Sequence, residues 1–438
     1  MSVVHLLVAA AVSVAVSASS AQSQGTIAQR IARAPDGIVR LQFEGHPGVC
    51  GDGRDVIGYR KAIFAGSVQS IGGNWTSSRC APGPVRVSLS VAGGRVTKME
   101  TFVGGSWPAT TGATNLGSVN SSDAAAYFFG LIPEIEGRSK RGRLLLPAVL
   151  AADNGTVARL ISLSRDAARR QDTRSEAIQW IGLLGDASAV PALLAFVRQD
   201  VSTRADDLDK DDTHGKKGLA SAAIAALSFL EDGAGIPSLI EVARTGTPAV
   251  RRAAVFWLGQ SEDRRALTAL HAVIENASED ERIRSHAIFS LAHGGDKPDS
   301  EFAWLRSLYS RLQSVELKES IIQGMGQDKT TGSAWLVQRA RDTRESMKLR
   351  KNALFWAGQS ESTPTEDLVS VYRAVPERDL REHAIFVLSQ RRDDAALNEL
   401  LRIARDDNDR SLRGKALFWL GQKDDPRVES LISERLSR

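Results

Sequence analysis

Cysteine and histidine are scarce in this chain, and net charge is nearly absent. Its 438 residues include 2 Cys and 7 His, and 56 Lys+Arg almost cancel 52 Asp+Glu, leaving +4. No lysine or arginine block stands out, so nothing marks a nucleic-acid footprint, and no nucleic-acid partner is expected. No apolar run reaches the roughly 20 residues that a membrane-spanning helix needs. HExxH, a P-loop and GxSxG are all missing, which removes the commonest hydrolase and nucleotide motifs. No catalytic residue, metal site or cofactor is therefore assigned. With 42% hydrophobic and 25% charged residues, what remains is the composition of an ordinary globular protein of two or three domains.

Val3–Val16 is almost wholly apolar, and Ser17–Gln24 turns small and polar. This pattern reads as a secretory signal over residues 1–21, cleaved after Ala21, although Met1–Leu7 lacks the usual Lys or Arg. The expectation is a secreted or periplasmic protein with no membrane insertion after cleavage. Cys50 and Cys80 lie in one glycine-rich segment, without CxxC spacing or an obvious histidine partner. In an oxidising compartment they are expected to form a disulfide.

What the chain has in abundance is a repeat. LRGKALFWLGQ at Leu412–Gln422 recurs as VRRAAVFWLGQ at Val250–Gln260 and LRKNALFWAGQ at Leu349–Gln359. Weaker copies start at Ile283, Leu317 and Leu380, and degenerate ones centre on Gln179 and Ala225. The central slot falls at Phe256, Phe289, Gln323, Phe355, Phe386 and Phe418, a period of about 32 residues. Such a period marks stacked helical pairs, each burying its apolar face against its neighbours. One insertion breaks the period, with an acidic core at residues 206–212. Its Asp207, Asp209 and Asp211 lack the glycine and glutamate of an EF-hand, so a solvated acidic loop is the reading, with calcium binding as its alternative.

Residues 22–106 read as a small antiparallel β domain. Ile38–Phe43 and Val85–Val91 alternate apolar and polar residues, and Gly93-Gly94 joins the latter to Val96–Val103 as a hairpin. Gly45–Cys80 looks like an irregular, disulfide-clamped excursion. Residues 107–123 have a linker's composition. Helices begin at Ala124, with Ser121, Ser122 or Asp123 as the cap, so the α part spans 124–438.

On a helical wheel the repeat slots separate. The residue before the central slot is aliphatic throughout, as in Ile288, Leu354 and Leu417, and the slot two earlier is nearly always alanine. These positions form the core seam, with Trp180, Trp257, Trp356 and Trp419 beside it. Five residues before the central slot stands a cation, such as Arg174, Arg251, Arg350 or Arg381. Acids in the inter-helix turns (Asp186, Asp263, Asp296, Glu361, Asp393, Asp424) are expected to pair with it in a ladder; an anion-binding strip is the alternative. Phe256, Phe289, Phe355, Phe386 and Phe418, with Gln260, Gln359, Gln390 and Gln422, make a stripe on the other side of the second helices. Each phenylalanine either packs between repeats, with glutamine tying off the helix end beside Gly259, Gly358 and Gly421, or anchors a partner.

The GDxxAVPALL run at Gly185–Leu194 and the RxxAxxxLG runs at Arg251–Gly259 and Arg413–Gly421 resemble HEAT repeats, specifically the bacterial HEAT-like repeats named from phycobilisome lyases. The resemblance covers about 141–438 and implies a right-handed α-solenoid that scaffolds protein contacts. It does not imply lyase activity. HEAT-type deoxyhypusine hydroxylases use His-Glu dipeptides as iron ligands, and this chain has none. The expected function is a non-enzymatic, exported scaffold that binds a protein or peptide on the concave face of the solenoid. The alternative is a hydrolase or carbohydrate-binding site in the β domain, around His46, Glu44, Asp52 and Asp55.

Overall fold

The computed structural model describes residues 25–436, except 60–61, 66–67, 72–79, 108, 138–143, 200–217 and 295–296. The segment expected to be a signal and the acidic insertion lie outside the described residues. The chain forms two units, the first closing at Thr156 and the second opening at Val157.

The first unit begins with α1 (Ile27–Ala32) and β1 (Gly37–Phe43). β1 is the alternating segment, and Val39, Leu41 and Phe43 are buried on one face as the period of two requires. The next strands are β2 (Cys50–Gly51), β3 (Val56–Tyr59), β4 (Ala62–Ala65), β5 (Val68–Ile71) and β6 (Ala81–Pro82). They form one antiparallel sheet in the order β5-β4-β3-β2-β6, where an irregular excursion was expected. Its strands are too short to show an alternating pattern in sequence. The expected disulfide joins Cys50 on β2 to Cys80 beside β6.

β7 (Val85–Ala92) and β8 (Arg95–Val103) form the expected hairpin, and Gly93 and Gly94 turn it with φ of 56° and 71°. β9 (Thr114–Ser118) corrects the linker reading of 107–123, because it pairs in parallel with β1 and completes a sheet ordered β8-β7-β1-β9. Its residues are small, polar and mostly half-buried or exposed. An edge strand held by its backbone looks like a linker in composition. α2 (Ser121–Ile135) follows, and its cap is Asn120, whose Oδ1 accepts from the N–H of Ser122 and Asp123, not one of the three residues expected. Phe128 of α2 lies 6.0 Å from Phe43, ring to ring, so α2 and α3 (Leu146–Leu150) belong with the sheet, not with the repeats.

The second unit is a succession of helical pairs. The first helices are α4 (Thr156–Arg165), α6 (Val190–Arg198), α8 (Ile236–Thr245), α10 (Arg264–Glu275), α12 (Asp299–Arg311), α14 (Gly332–Arg341), α16 (Thr365–Ala374) and α18 (Asp394–Asp406). Interleaved with them are the second helices α5 (Gln171–Leu184), α7 (Leu219–Phe229), α9 (Pro248–Gly259), α11 (Glu281–His293), α13 (Val315–Met325), α15 (Met347–Gln359), α17 (Arg378–Ser389) and α19 (Arg410–Leu420), and α20 (Pro426–Leu436) follows. Each second helix packs on the next one along the chain, from α5 through α19. Pro191 sits in the first turn of α6, where its missing N–H costs nothing.

The seam is where the wheel puts it. Ile178, Ile224, Val255, Ile288, Ile322, Leu354 and Ile385 are at most 1% exposed. So are the alanines two before the central slot and the aliphatic residues two after it. Leu417 is the exception and is half-buried, since among the described residues no later second helix packs on α19.

Candidate functional site: the second-helix face

The cation slot is a ladder with different rungs from those expected. Arg174, Arg251, Arg284 and Arg350 each donate Nε–H to a carbonyl at the end of the preceding first helix, at 2.8–3.0 Å. That satisfies an orphan helix-end acceptor and sets the positive charge at the negative end of the helix dipole. Cations of this slot also reach into the next repeat. Arg251 pairs with Glu279, Lys318 with Glu345, Arg350 with Glu377 and Arg381 with Asp407. These acids lie in the turn before the next second helix.

The acids proposed for that role do something else. Asp186, Asp263 and Asp393 cap the segments that follow them by accepting backbone N–H groups at 2.8–2.9 Å. Asp425, not Asp424, does the same for Arg427 N–H. Glu361 is exposed, and Asp296 lies outside the described residues. Helix ends are tied off by cations from the next repeat and not by the glutamines. Lys297 Nζ donates to Gly259 O and Ser261 O, and Arg391 to Gly358 O, Ser360 O and Thr363 O.

Nor are Gly259 and Gly358 left-handed caps. Three residues after the central slot every copy has glycine, alanine or serine, and there consecutive second helices cross. A Cβ on Gly182 would stand 2.6 Å from Ala226 Cα, and one on Gly259 would stand 2.5 Å from Ser290 O. Trp356 uses the same register, with its ring edge 3.3 Å from the position of a Cβ on Gly326. Of the four tryptophans expected beside the core, only Trp180 is buried; Trp257, Trp356 and Trp419 are half-buried at these crossings.

That leaves a face of aromatic rings. Phe256, Phe289, Phe355 and Phe386 are half-buried, and Phe418 is 58% exposed. Gln359, Gln390 and Gln422 are exposed and Gln260 is half-buried. Histidines are part of this surface as well. His286 stacks between Phe256 and Phe289 at 6.4 and 6.1 Å, and His293 lies on Phe289 at 4.1 Å. On α15, α17 and α19 the face dips into a depression of about 350 Å³, walled by Phe386 and Trp419 and floored beside His383. Its rim is zwitterionic, with Lys415–Glu382 at 2.6 Å and Lys351–Asp379 at 3.7 Å. The repeat pattern gave no sign of this depression, because its residues come from three copies and from slots that vary between them.

Burial, followed by the Arg252 charge on α9, pushes the His286 imidazole down to about 4. Its folded value is thus below the ordinary 6.5, so the unfolded chain binds the proton more readily in between. The stabilising contribution is complete above about pH 6.5 and is lost as pH falls toward 4. Between pH 7 and pH 5 the protein should lose roughly 1–2 kcal/mol more stability than the His286→Asn variant does. Urea unfolding at the two pH values measures this, and equal losses would mean that the ring is solvated.

Of the acids and histidine singled out in the β domain, Asp52 has a local structural task. Asp52 Oδ1 accepts the N–H groups of Arg54, Asp55 and Val56 at 2.9–3.0 Å, which makes it the acceptor of a turn. Burial raises this carboxyl, but the three amides outweigh burial and hold it below its usual value, wrong for a general acid. His46 lies beside Tyr59, 6.0 Å ring to ring. Among the described residues no three His, Cys, Asp or Glu side chains are placed to hold a metal ion, and no helix is long and apolar enough to cross a membrane.

The model of HEAT repeats matches residues 236–326, and that of the PBS lyase HEAT-like repeat matches 173–199. Those stretches are HEAT repeats. No curated protein matches the chain. Similar solved structures include the CpcE–CpcF complex of phycocyanin lyase from Nostoc sp., 17% identical over 57% of this chain and 95% of that one, with a TM-score of 0.27. Human deoxyhypusine hydroxylase is 15% identical over 64% of this chain and 88% of that one, at 0.21. Importin beta is 12% identical over 70% of this chain and 46% of that one, at 0.30. The HEAT repeats thus account for the helical pairs and say nothing further about chemistry.

Proposed function

We propose that this HEAT-repeat protein is a non-enzymatic scaffold, exported to the periplasm or beyond, that holds a protein or peptide partner on its second-helix face. The observation that carries the reading is the row of half-buried to exposed phenylalanines on α9, α11, α15, α17 and α19, interrupted only by Gln323 on α13. Phe418, on the last of these helices, is 58% exposed, and the phenylalanines of the stacked helices before it also keep part of each ring open to solvent. Large exposed aromatics beside half-buried ones are the residue types that dominate binding energy in protein interfaces. The depression between Phe386 and Trp419 suits one apolar side chain of the partner, with the paired charges on its rim setting orientation.

Phe418→Ala should change unfolding stability by no more than about 0.5 kcal/mol, because little of its area is buried. It should nevertheless weaken capture of a partner recovered with the wild-type protein from the secreted or periplasmic fraction. The mature chain recovered there should begin at Gln22. Capture unaffected by Phe418→Ala and by Phe386→Ser would reduce the stripe to packing between repeats.

A further inference from the structure

The first unit buries a cation for which no described residue supplies a counter-charge. Arg86 on β7 is 2% exposed. Its Nη2 donates to Gly53 O, at 3.1 Å, and to Gly104 O. Nε and Nη1 have no hydrogen-bond acceptor among the described residues, and no carboxylate pairs with it there. The rings of Phe102 and Trp107 lie 5.8 and 5.0 Å from the guanidinium carbon. A second guanidinium, Arg40 on β1, stands 5.2 Å from the same Trp107 ring and donates to Thr110 Oγ1. Two like charges around one indole repel each other, and burial, followed by the Arg40 charge, pushes the Arg86 guanidinium below its usual value. A buried charge normally brings its partner with it, because desolvation without compensation is among the largest penalties a fold can carry. Aromatic faces and two carbonyls compensate only part of that cost.

Together these features describe a receptor for negative charge. We propose that Arg86, with Arg40 and the Trp107 ring, forms a binding site for a small oxyanion, a carboxylate or a phosphate group. Uncommitted guanidinium N–H donors are the recognition chemistry of both groups. Two cations favour an anion over any neutral sugar, which separates this site from a carbohydrate module. The ligand is small because Arg86 itself is only 2% exposed. Gly105, which is exposed, lies beside it: a Cβ added there would stand 2.8 Å from Gly53 Cα and 3.3 Å from Arg86 Nη2. The site lies within the first unit and does not depend on what the second-helix face binds.

Titration calorimetry of the oxidised full-length protein with inorganic phosphate, sulfate and acetate, in chloride buffer, tests the proposal. At least one of the three should bind saturably, in one-to-one stoichiometry. Arg86→Met should weaken that binding by roughly ten- to a hundredfold, the loss expected for charge-assisted hydrogen bonds. Arg40→Gln should weaken it less, and Trp107→Phe should retain it. Saturation by phosphate and sulfate alone assigns a phosphate-type ligand, whereas saturation by acetate assigns a carboxylate. If Arg86→Met does not fold, as its melting transition will show, the half-buried Arg40 carries the comparison. No saturable heat up to roughly tens of millimolar anion, or equal affinity in wild type and Arg86→Met (Arg40→Gln where Arg86→Met does not fold), would make Arg86 a structural cation held by carbonyls and rings.

Discussion

Arg350→Ala is expected to lower stability by roughly 2–3 kcal/mol, somewhat less than the loss of one member of a fully buried pair, because Glu377 keeps 31% of its side chain exposed. Arg350 is 3% exposed. Its Nε closes off Ala340 O at 3.0 Å, and its two terminal nitrogens reach Glu377 at 2.6 and 3.2 Å, in the next repeat. Truncation therefore strands a helix-end carbonyl and a carboxylate together. Arg350→Lys should recover only part of the loss, since an ammonium cannot make the forked contact. The hydrogen bond from Arg350 holds the Glu377 carboxyl below its ordinary value. A carboxyl lowered in the folded state stabilises above its unfolded value and loses that contribution as pH falls through the folded one. In Arg350→Ala this acid-dependent part should disappear, and NMR titration of Glu377 should return to the ordinary range. A loss below about 1 kcal/mol would reopen the slot as an anion-binding strip.

Gly259→Leu should be at least as damaging, at about 3 kcal/mol or more. The first atom of any side chain there falls 2.5 Å from Ser290 O and 2.6 Å from Ser290 Cβ, so α9 and α11 must move apart. Overpacking at a rigid contact typically costs about 1–3 kcal/mol, and here the obstacle is backbone. In a stack, each interface is shared only by neighbours. Amides of α9 and α11 should therefore lose hydrogen-exchange protection before those of α17 and α19. A uniform loss, or none, would contradict the close crossing.

Much of the architecture was readable before any coordinates. The seam residues follow from a 3.6-residue period repeated every thirty-odd residues, and burial of Ile288, Leu354 and Ile385 needs nothing beyond that pattern. The β7–β8 hairpin was equally plain, because alternation and a Gly-Gly turn are local signals. The errors share a cause. β9 was missed because an edge strand needs no apolar face, and its pairing with β1 is set by chain about seventy residues away. Asp263 was assigned the pairing role that Glu279 fills, since spacing alone does not say whether an acid meets a backbone N–H or an arginine one repeat earlier.

From its sequence alone this protein is a stack of HEAT-type helical pairs behind a disulfide-bearing β-rich unit, because periodicity and turn chemistry act between residues close in the chain. Which cation meets which acid, why Gly259 must be glycine, and how Phe386 and Trp419 come to wall one depression were decided only by tertiary structure. Those contacts join residues from different repeats, and a pattern averaged over copies cannot carry the distance between two particular helices.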